Sequence, residues 1–211
     1  MDTALDHLIL AAARLADGIE YVARVTGVTP RPGGKHVAMG THNALLRLGD
    51  RIYLEVIAVD PHGAKPSRPR WFDLDDPVLQ AELSARPRLI AWAARTDDID
   101  GAVARCPLAL GIVHPFVRGE YRWRITIPDD GKRPGNGIAP TLIQWDVAAH
   151  PADALPESGV AVAGIAGSHP DPDVIRGALA ALGLAPVLSL TADPQARLAA
   201  TLKTPRGIVS L

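Results

Sequence analysis

Hydrophobic and polar positions along the chain repeat a strand-then-helix pattern in three places. Apolar runs with the length of buried strands lie at residues 5–12, 88–95 and 159–166. Apolar positions at helical spacing follow each run and predict helices at about 15–26, 97–106 and 171–182. An internal repeat of this kind indicates the overall architecture without reference to any single residue. We expect serial β-α-β-β-β modules whose curved mixed sheets surround a cleft, which is an α+β fold.

Further strand patterns follow each helix. They lie at 36–40, 43–48 and 51–59, at 112–117, 121–128 and 141–147, and at 187–191, 196–202 and 208–211. The third set is shorter than the first two. We therefore expect paired modules in residues 1–150, one at 1–60 and one at 86–150, and a third, shorter β-α-β-β module at 158–211.

A proline-rich crossover at residues 60–85 joins the paired modules. Between residues 60 and 77 it carries four prolines, three Lys or Arg residues and the pair Trp71-Phe72. A connection of this length is either a plain crossover or a lid over a site. A second segment, at 129–140, is rich in glycine and proline and is predicted to be a mobile loop.

The composition is that of an ordinary globular protein, with 47% hydrophobic and 21% charged residues. A formal net charge of −1 gives no field that would attract nucleic acid or an anionic membrane. No apolar run approaches the roughly 20 residues of a membrane span, and no signal-peptide pattern is present, so we expect a cytoplasmic protein. The single cysteine, Cys106, excludes an intrachain disulfide and lies in an apolar pattern typical of a core position.

Glu55 is the most informative single residue. It lies in a strand whose neighbouring positions are apolar. A carboxylate in that setting is costly to bury unless it faces a cation, a hydrogen-bond donor or water. Glu55 therefore indicates either a position in a cleft or a surface glutamate paired with Arg47 or Arg51. In an apolar cleft it would be suited to general-base catalysis, and His7, on the first strand, would polarise a carbonyl or relay the proton.

Several polar and aromatic residues are candidates for substrate binding. His42 and Asn43 are neighbours in one strand, so only one of them can face the cleft; we prefer Asn43 and retain both. Trp71, Trp92 and Trp145 are either aromatic walls of the cleft or plain core. Five other histidines, mostly beside glycine or proline, are interpreted as turn residues without a chemical role: His36, His62, His114, His150 and His169. The chain has neither a phosphate-binding loop nor a nucleophile-elbow motif.

Five segments, in the expected order, resemble the glyoxalase-like family of the vicinal-oxygen-chelate superfamily: Leu5-Asp6-His7-Leu8, Gly40-Thr41-His42-Asn43-Ala44-Leu45, Tyr53-Leu54-Glu55-Val56, Pro69-Arg70-Trp71-Phe72 and Leu142-Ile143-Gln144-Trp145. The resemblance covers about residues 5–147. It implies paired β-α-β-β-β modules around a cleft, but no single reaction, because the superfamily includes isomerases, lyases, dioxygenases, epimerases and metal-free binding proteins.

The resemblance also implies positions for a divalent metal ion. Ligands in metal-dependent members correspond here to His7, Glu55, a residue near Ala91, and Gln144. Because Ala91 offers no ligand, at most His7, Glu55 and Gln144 would converge. Such an ion would bind two neighbouring substrate oxygens and stabilise an enolate.

The function expected from the sequence is binding of a small oxygenated molecule, with lyase or isomerase chemistry through proton abstraction next to a carbonyl. Glu55 and His7 would be catalytic, with His42, Asn43, Trp71, Trp92 and Gln144 as substrate-binding residues. A non-catalytic sequestering protein of the same fold is the alternative. A purely structural dimerisation module is a third class, and it predicts an exposed or salt-bridged Glu55. The odd number of modules leads us to expect a homodimer.

Overall fold

The computed structural model describes residues 3–211. Within this part of the chain the strands are β1 (Ala4–Ala11), β2 (Arg31–His36), β3 (Thr41–Gly49), β4 (Ile52–Val59), β5 (Arg88–Arg95), β6 (Ile112–Arg118), β7 (Tyr121–Ile127), β8 (Thr141–Trp145), β9 (Ala161–His169), β10 (Leu188–Ala192), β11 (Arg197–Thr204) and β12 (Gly207–Ser210). The α-helices are α1 (Leu15–Thr26), α2 (Pro77–Ala85), α3 (Ile99–Arg105) and α4 (Pro172–Ala181).

Eight strands form one mixed sheet in the order β2-β3-β4-β1-β5-β8-β7-β6. In each half the first strand pairs in parallel with the last strand of the same module, and the two first strands, β1 and β5, pair antiparallel at the centre. Arg118, at the end of β6, donates to His36, at the end of β2, although these strands lie at opposite edges of the sheet. The sheet therefore curls until its two edges meet, and the predicted α+β fold with curved mixed sheets is confirmed.

The two faces of this sheet bury different hydrophobic clusters. On the outer face Leu8, Leu10 and Val56 belong to a cluster that includes residues of α1, α3 and the C-terminal unit. On the concave face Ile9 and Ile57 belong to a cluster that includes residues of the connection and α2. Alternate side chains along β1 and β4 thus point to the helices on the outer face, and the others point to the concave face.

The C-terminal unit forms a separate four-stranded sheet in the order β10-β9-β11-β12. Its first strand, β9, pairs in parallel with β10 and antiparallel with β11, so its strand order differs from that of the two N-terminal modules. Ile165 and Leu202 of this sheet join the outer cluster, together with Trp92 of β5. The unit therefore packs on the outer face of the large sheet and contributes nothing to the concave face.

The proline-rich connection continues into α2, which the sequence analysis did not identify. Asp76 is the N-cap, since its side chain accepts hydrogen bonds from the amides of Val78 and Leu79, and Pro77 lies in the first turn. Leu79 and Leu83 are buried in the concave cluster. The connection thus covers the concave face as well as joining the two halves.

One local prediction is wrong. Residues 36–40, predicted as a strand, contain a 3-10 turn at Val37–Met39, and the edge strand lies earlier, at Arg31–His36. Its Pro32 is tolerated because an edge strand needs no hydrogen bond on its outer side. The loop at 129–140, predicted to be mobile, contains the 3-10 turn Pro134–Gly137 and the fully buried Ile138. None of the helices found within residues 3–211 has the length and apolar character needed to cross a bilayer.

Candidate functional site

A small chamber lies on the concave face of the large sheet. It encloses about 30 Å³ of water-accessible volume, room for one or two water molecules. Its walls are formed by His7, His36, Asn43, Tyr53, Glu55, Trp71, Phe72, Arg118, Trp123, Ile125, Ile143 and Trp145. Most polar groups of the wall therefore come from the first module, and Arg118 comes from the second. Most of the aromatic wall comes from the connection and the second module.

Glu55 is buried at the base of this chamber. Its side chain is 8% exposed, and its Oε1 accepts a hydrogen bond of 2.6 Å from Asn43 Nδ2. Its Oε2 faces His7 Nε2 at 3.8 Å, and Oε1 lies 3.9 Å from His36 Nε2. Arg47 forms its ion pair with Glu157 instead. The exposed or salt-bridged position that a structural module predicts is therefore not observed.

His7 is oriented by a buried carboxylate, Asp6. His7 Nδ1 lies 2.6 Å from Asp6 Oδ1, and Asp6 is completely buried. The other carboxylate oxygen receives hydrogen bonds from Trp145 Nε1 at 2.9 Å and His150 Nε2 at 3.1 Å. Burial alone would raise the pKa of Asp6, but the hydrogen bonds and charges of His150 and His7 outweigh it and hold that pKa well below its ordinary value. Because Asp6 is an anion, Nδ1 of His7 donates to it, and this hydrogen bond directs Nε2 toward Glu55.

His36 is a neutral acceptor at the rim of the chamber. Its Nε2 accepts from Arg118 Nη1 at 3.2 Å, so Nδ1 carries the proton and faces Thr41 Oγ1 at 3.1 Å. Burial is the largest influence on the pKa of His36 and lowers it from 6.5 to about 4, with Arg118 acting in the same direction and Glu55 opposing. His36 therefore stays uncharged at neutral pH.

This burial predicts a pH dependence of stability. The unfolded state takes up the His36 proton near pH 6.5, while the folded state resists it down to about pH 4. The free energy of unfolding should therefore fall by up to about 3 kcal/mol as the pH drops through this window. Urea unfolding at several pH values measures it. The His36→Gln variant should show a clearly flatter profile between pH 6.5 and 4, and an unchanged slope would contradict the assignment.

Gly33 and Gly34 of β2 both contribute to the position of Asn43, whose side chain donates a hydrogen bond to Glu55. Asn43 Oδ1 accepts from the backbone amide of Gly34 at 2.8 Å, which leaves Nδ2 to donate to Glu55. A Cβ on Gly33 would lie 2.2 Å from Asn43 Oδ1, whereas a Cβ on Gly34 would meet only the side chain of Arg118, at 3.2 Å.

We expect Gly33→Ala to displace the Asn43 side chain and to destabilise the fold by about 1–3 kcal/mol through overpacking. Gly34→Ala is the matched control, because the flexible Arg118 side chain can move by a few tenths of an ångström. Urea unfolding of both variants measures the difference. Equal stability of the two proteins would show that the Asn43 contact does not depend on Gly33.

The residues at this site do not fit a tightly bound divalent metal ion. His7 Nε2 and Glu55 Oε2 could share an ion, but Nε2 of His36, the next candidate ligand, already accepts a hydrogen bond from the Arg118 guanidinium. That guanidinium would also repel a cation. Within residues 3–211 no cluster of three or more His, Cys, Asp or Glu side chains has a geometry suited to metal binding.

Five of the predicted site residues line the chamber: His7, Asn43, Glu55, Trp71 and Trp145. Three others do not. Gln144 Oε1 accepts from the amide of Ile99 at 2.9 Å, so its side chain faces α3. Trp92 donates to the Ile138 carbonyl within the outer cluster.

His42 also lies outside the chamber. It alternates with Asn43 along β3 and lies on the opposite face, where Asp60 and Lys35 are its charged neighbours. A substrate-binding role for Trp92, Gln144 and His42, and the metal set that includes Gln144, therefore do not agree with these positions.

Four charged or imidazole groups of the site were not predicted from the sequence: Asp6, His36, Arg118 and His150. His36 and His150 were interpreted as turn histidines because of their neighbours in sequence. Asp6 could have been predicted from the sequence, because an acidic residue in an apolar strand needs a hydrogen-bond donor when it is buried, and it lies beside a histidine. Arg118 could not have been predicted in this way, because only the curl of the sheet brings the end of β6 to the end of β2.

The sequence matches the model of one protein family, described as a glyoxalase-like domain, over residues 5–183. Among solved structures, a hypothetical protein from Staphylococcus aureus is similar with a TM-score of 0.60 at 13% identity, covering 99% of this chain and 84% of that chain. A methylmalonyl-CoA epimerase from Mycobacterium tuberculosis matches with a TM-score of 0.40 at 20% identity, covering 69% of this chain and 89% of that chain. A hypothetical protein from Bacillus halodurans C-125 matches with a TM-score of 0.43 at 11% identity, covering 71% and 98% of the two chains. No curated protein matches the chain.

At such low identity, the similarity to the Staphylococcus aureus protein shows a shared fold and nothing about activity. The family match is stronger evidence, since it spans both N-terminal modules, the connection and the first part of the C-terminal unit. It confirms the resemblance found in the five sequence segments. The chain belongs to the glyoxalase-like domain family.

Proposed function

We propose that this protein binds a small oxygenated organic molecule in the chamber, and that Glu55 and His7 transfer a proton at the carbon next to a carbonyl, as in lyase or isomerase chemistry. One observation carries the proposal. The buried Glu55 carboxylate faces His7 Nε2 at 3.8 Å, while Asp6 holds the opposite nitrogen of that ring. Paired titratable groups inside a cleft are typical of acid–base catalysis.

The roles follow from the chemistry of each group. Glu55 removes the proton from carbon, and the C–H electron pair moves into a new C=C bond while the carbonyl pair moves onto oxygen. His7 Nε2 receives the proton from Glu55 and returns it to the same or a neighbouring carbon. Asn43 Nδ2 is the donor that would stabilise the enolate oxygen.

A ligand must first enlarge the chamber, because the present volume holds little more than one water. Trp71 and Phe72 form the wall that comes from the connection. Phe72 and Asp73 both adopt left-handed backbone conformations, with φ of 61° and 58°, which are uncommon for residues other than glycine. This segment is the part of the wall that we expect to move when a ligand enters.

The proposal does not require a metal ion. Elemental analysis of protein purified without chelator should find less than one divalent ion per chain, and chelator treatment should leave ligand binding unchanged. One ion per chain that disappears in both His7→Ala and Glu55→Ala would overturn the metal-free mechanism.

The experiment for the function is hydrogen–deuterium exchange. Small aldehydes, ketones and 2-oxo acids are incubated with the protein in D2O, and loss of the C–H signal next to the carbonyl is followed by proton NMR. Exchange faster than in buffer with at least one compound supports the proposal. If a compound binds with a saturable change in tryptophan fluorescence but no exchange follows with any compound, the protein is a binder.

Non-catalytic sequestering is the second candidate, and the aromatic wall favours it. Phe116 stacks on Trp123 at 5.7 Å between ring centroids, and Trp71 lies 5.5 Å from Phe116. Such a surface suits a planar organic ligand. This alternative predicts that Glu55→Gln retains the full function, because no proton moves.

A homodimer and a cytoplasmic location stay predictions. Val117 and Ile112 are exposed on β6, an edge strand of the large sheet, which is a surface that a second subunit would cover. Light scattering should give the mass of two chains, and a monomer at all concentrations would contradict the dimer.

A further inference from the structure

Arg118 lies at the boundary between the chamber and a second, larger space. Arg118 lines both the chamber and a groove of about 700 Å³, a volume within the usual range for small-molecule sites. The charged residues that line the groove are Arg31, Lys35, Arg118 and Glu120. A molecule could therefore place one end in the chamber and the rest in the groove, passing the guanidinium.

The Arg118 guanidinium is a cation without an acidic partner. Among the ion pairs of residues 3–211 none includes Arg118, and Nη1 instead contacts His36 Nε2 and Asn43 Oδ1, both of which are neutral. Its Nη2 and Nε have no hydrogen-bond partner within the same residues. A guanidinium presents its donors in a planar fork that matches the two oxygens of a carboxylate.

The rest of the groove adds positive charge. Arg31 forms no ion pair with a described residue, while Lys35 is paired with Asp60 at 2.8 Å. Glu120 is the single acid among the groove-lining residues. Arg118 is thus the unpaired cation that lines both the groove and the chamber that holds Glu55.

We propose that the ligand is an organic acid whose carboxylate binds Arg118, whose adjacent carbonyl enters the chamber, and whose remaining chain lies in the groove. A 2-oxo acid has these groups in the required order. This inference rests on the proposed function for the role of Glu55, and it adds the substrate class. The carboxylate at Arg118 would leave the carbon beyond the carbonyl facing Glu55.

Tryptophan fluorescence tests the proposal directly, because Trp71, Trp123 and Trp145 line the chamber. The probes are 2-oxobutanoate, its neutral methyl ester and inorganic phosphate. The wild-type protein should bind 2-oxobutanoate with a saturable signal at millimolar concentration and the ester at least about tenfold more weakly, as expected for loss of charge-assisted hydrogen bonds. Phosphate should compete only weakly, because it can bind the arginine fork but has no carbonyl group to occupy the chamber.

The variants are Arg118→Gln, Arg118→Lys and Arg122→Gln. Arg118→Gln should weaken 2-oxobutanoate binding by about tenfold or more, and Arg118→Lys should recover only part of it because lysine lacks the planar fork. Arg122, exposed on β7, is the matched control and should bind as the wild type does. Unchanged affinity in Arg118→Gln, equal binding of acid and ester, or no binding of 2-oxobutanoate to the wild type would overturn the proposal. Stronger binding of phosphate than of 2-oxobutanoate would also overturn it, in favour of a phosphate ester ligand.

Glu55→Gln separates this proposal from the proposed function. It should bind 2-oxobutanoate at least as tightly as the wild type, because a negative charge near the carboxylate has been removed. If 2-oxobutanoate binding depends on Arg118 but no hydrogen–deuterium exchange is detected, the substrate class is retained and the catalytic function is rejected. If neutral ketones exchange at a rate that Arg118→Gln does not change, the catalytic function is retained and the substrate class is rejected.

Discussion

The Glu55→Gln variant is expected to lose about 100- to 10,000-fold of the exchange rate at the carbon next to the carbonyl, while its fold and ligand affinity are retained. The magnitude is that of removing a positioned general base. Glutamine is isosteric, and its Oε1 can still accept from Asn43 Nδ2, so the chamber keeps its walls. Only the proton acceptor is lost.

Exchange kinetics in D2O, with urea unfolding as the check on stability, measure this effect. Glu20→Gln is the matched control, since Glu20 is exposed on α1 and the same substitution there should change neither quantity. A Glu55→Gln protein that exchanges at the wild-type rate would remove Glu55 from the mechanism. A loss of rate accompanied by an equal loss of stability would mean that its role is structural.

The Asp6→Asn variant is expected to show the largest loss of stability, about 3–5 kcal/mol, the range for removing one partner of a buried charged pair. Asp6 accepts from His7, His150 and Trp145, and a neutral amide has one acceptor oxygen for these three donors. The imidazole of His7 would also lose the anion that orients it, so exchange activity should fall with stability.

The acid dependence gives Asp6→Asn a specific signature. The folded pKa of Asp6 lies well below the ordinary 3.8, so its stabilising contribution is complete above about pH 3.8 and is lost as the pH falls below that value. Wild-type stability should therefore drop steeply below pH 3.8, and the variant should lack part of that drop. Asp97→Asn, at an exposed position, is the control. Equal free energies of unfolding for Asp6→Asn and wild type would contradict the buried anion.

Strand alternation identified part of the site correctly from the sequence. The apolar neighbours of Glu55 implied a buried carboxylate, and the alternation of β3 favoured Asn43 over His42. The same rule could have separated Gln144 from the site, because Ile143 and Trp145 face the chamber and the residue between them must face away. Gln144 was nevertheless predicted as a site residue, because it corresponds to a ligand position in metal-dependent proteins that the sequence resembles.

Other parts of the site depend on long-range geometry that local patterns do not contain. His36 and Arg118 belong to opposite edges of the sheet, and they meet because the sheet curls. Helix α2 was missed although Asp76-Pro77 is a recognisable helix start. The internal repeat predicted the two N-terminal modules. It did not predict the strand order of the C-terminal sheet, in which β9 pairs with β10 and β11.

The central claim is that a carbonyl compound reacts in the chamber against Glu55. A crystal structure of the protein with the compound that exchanges fastest tests it most directly. The proposed mechanism predicts that the carbon next to the carbonyl lies about 3–3.5 Å from the Glu55 carboxylate, with Trp71 or Phe72 displaced to make room. A compound bound elsewhere, with the chamber still closed and Glu55 in contact with Asn43 alone, would contradict it.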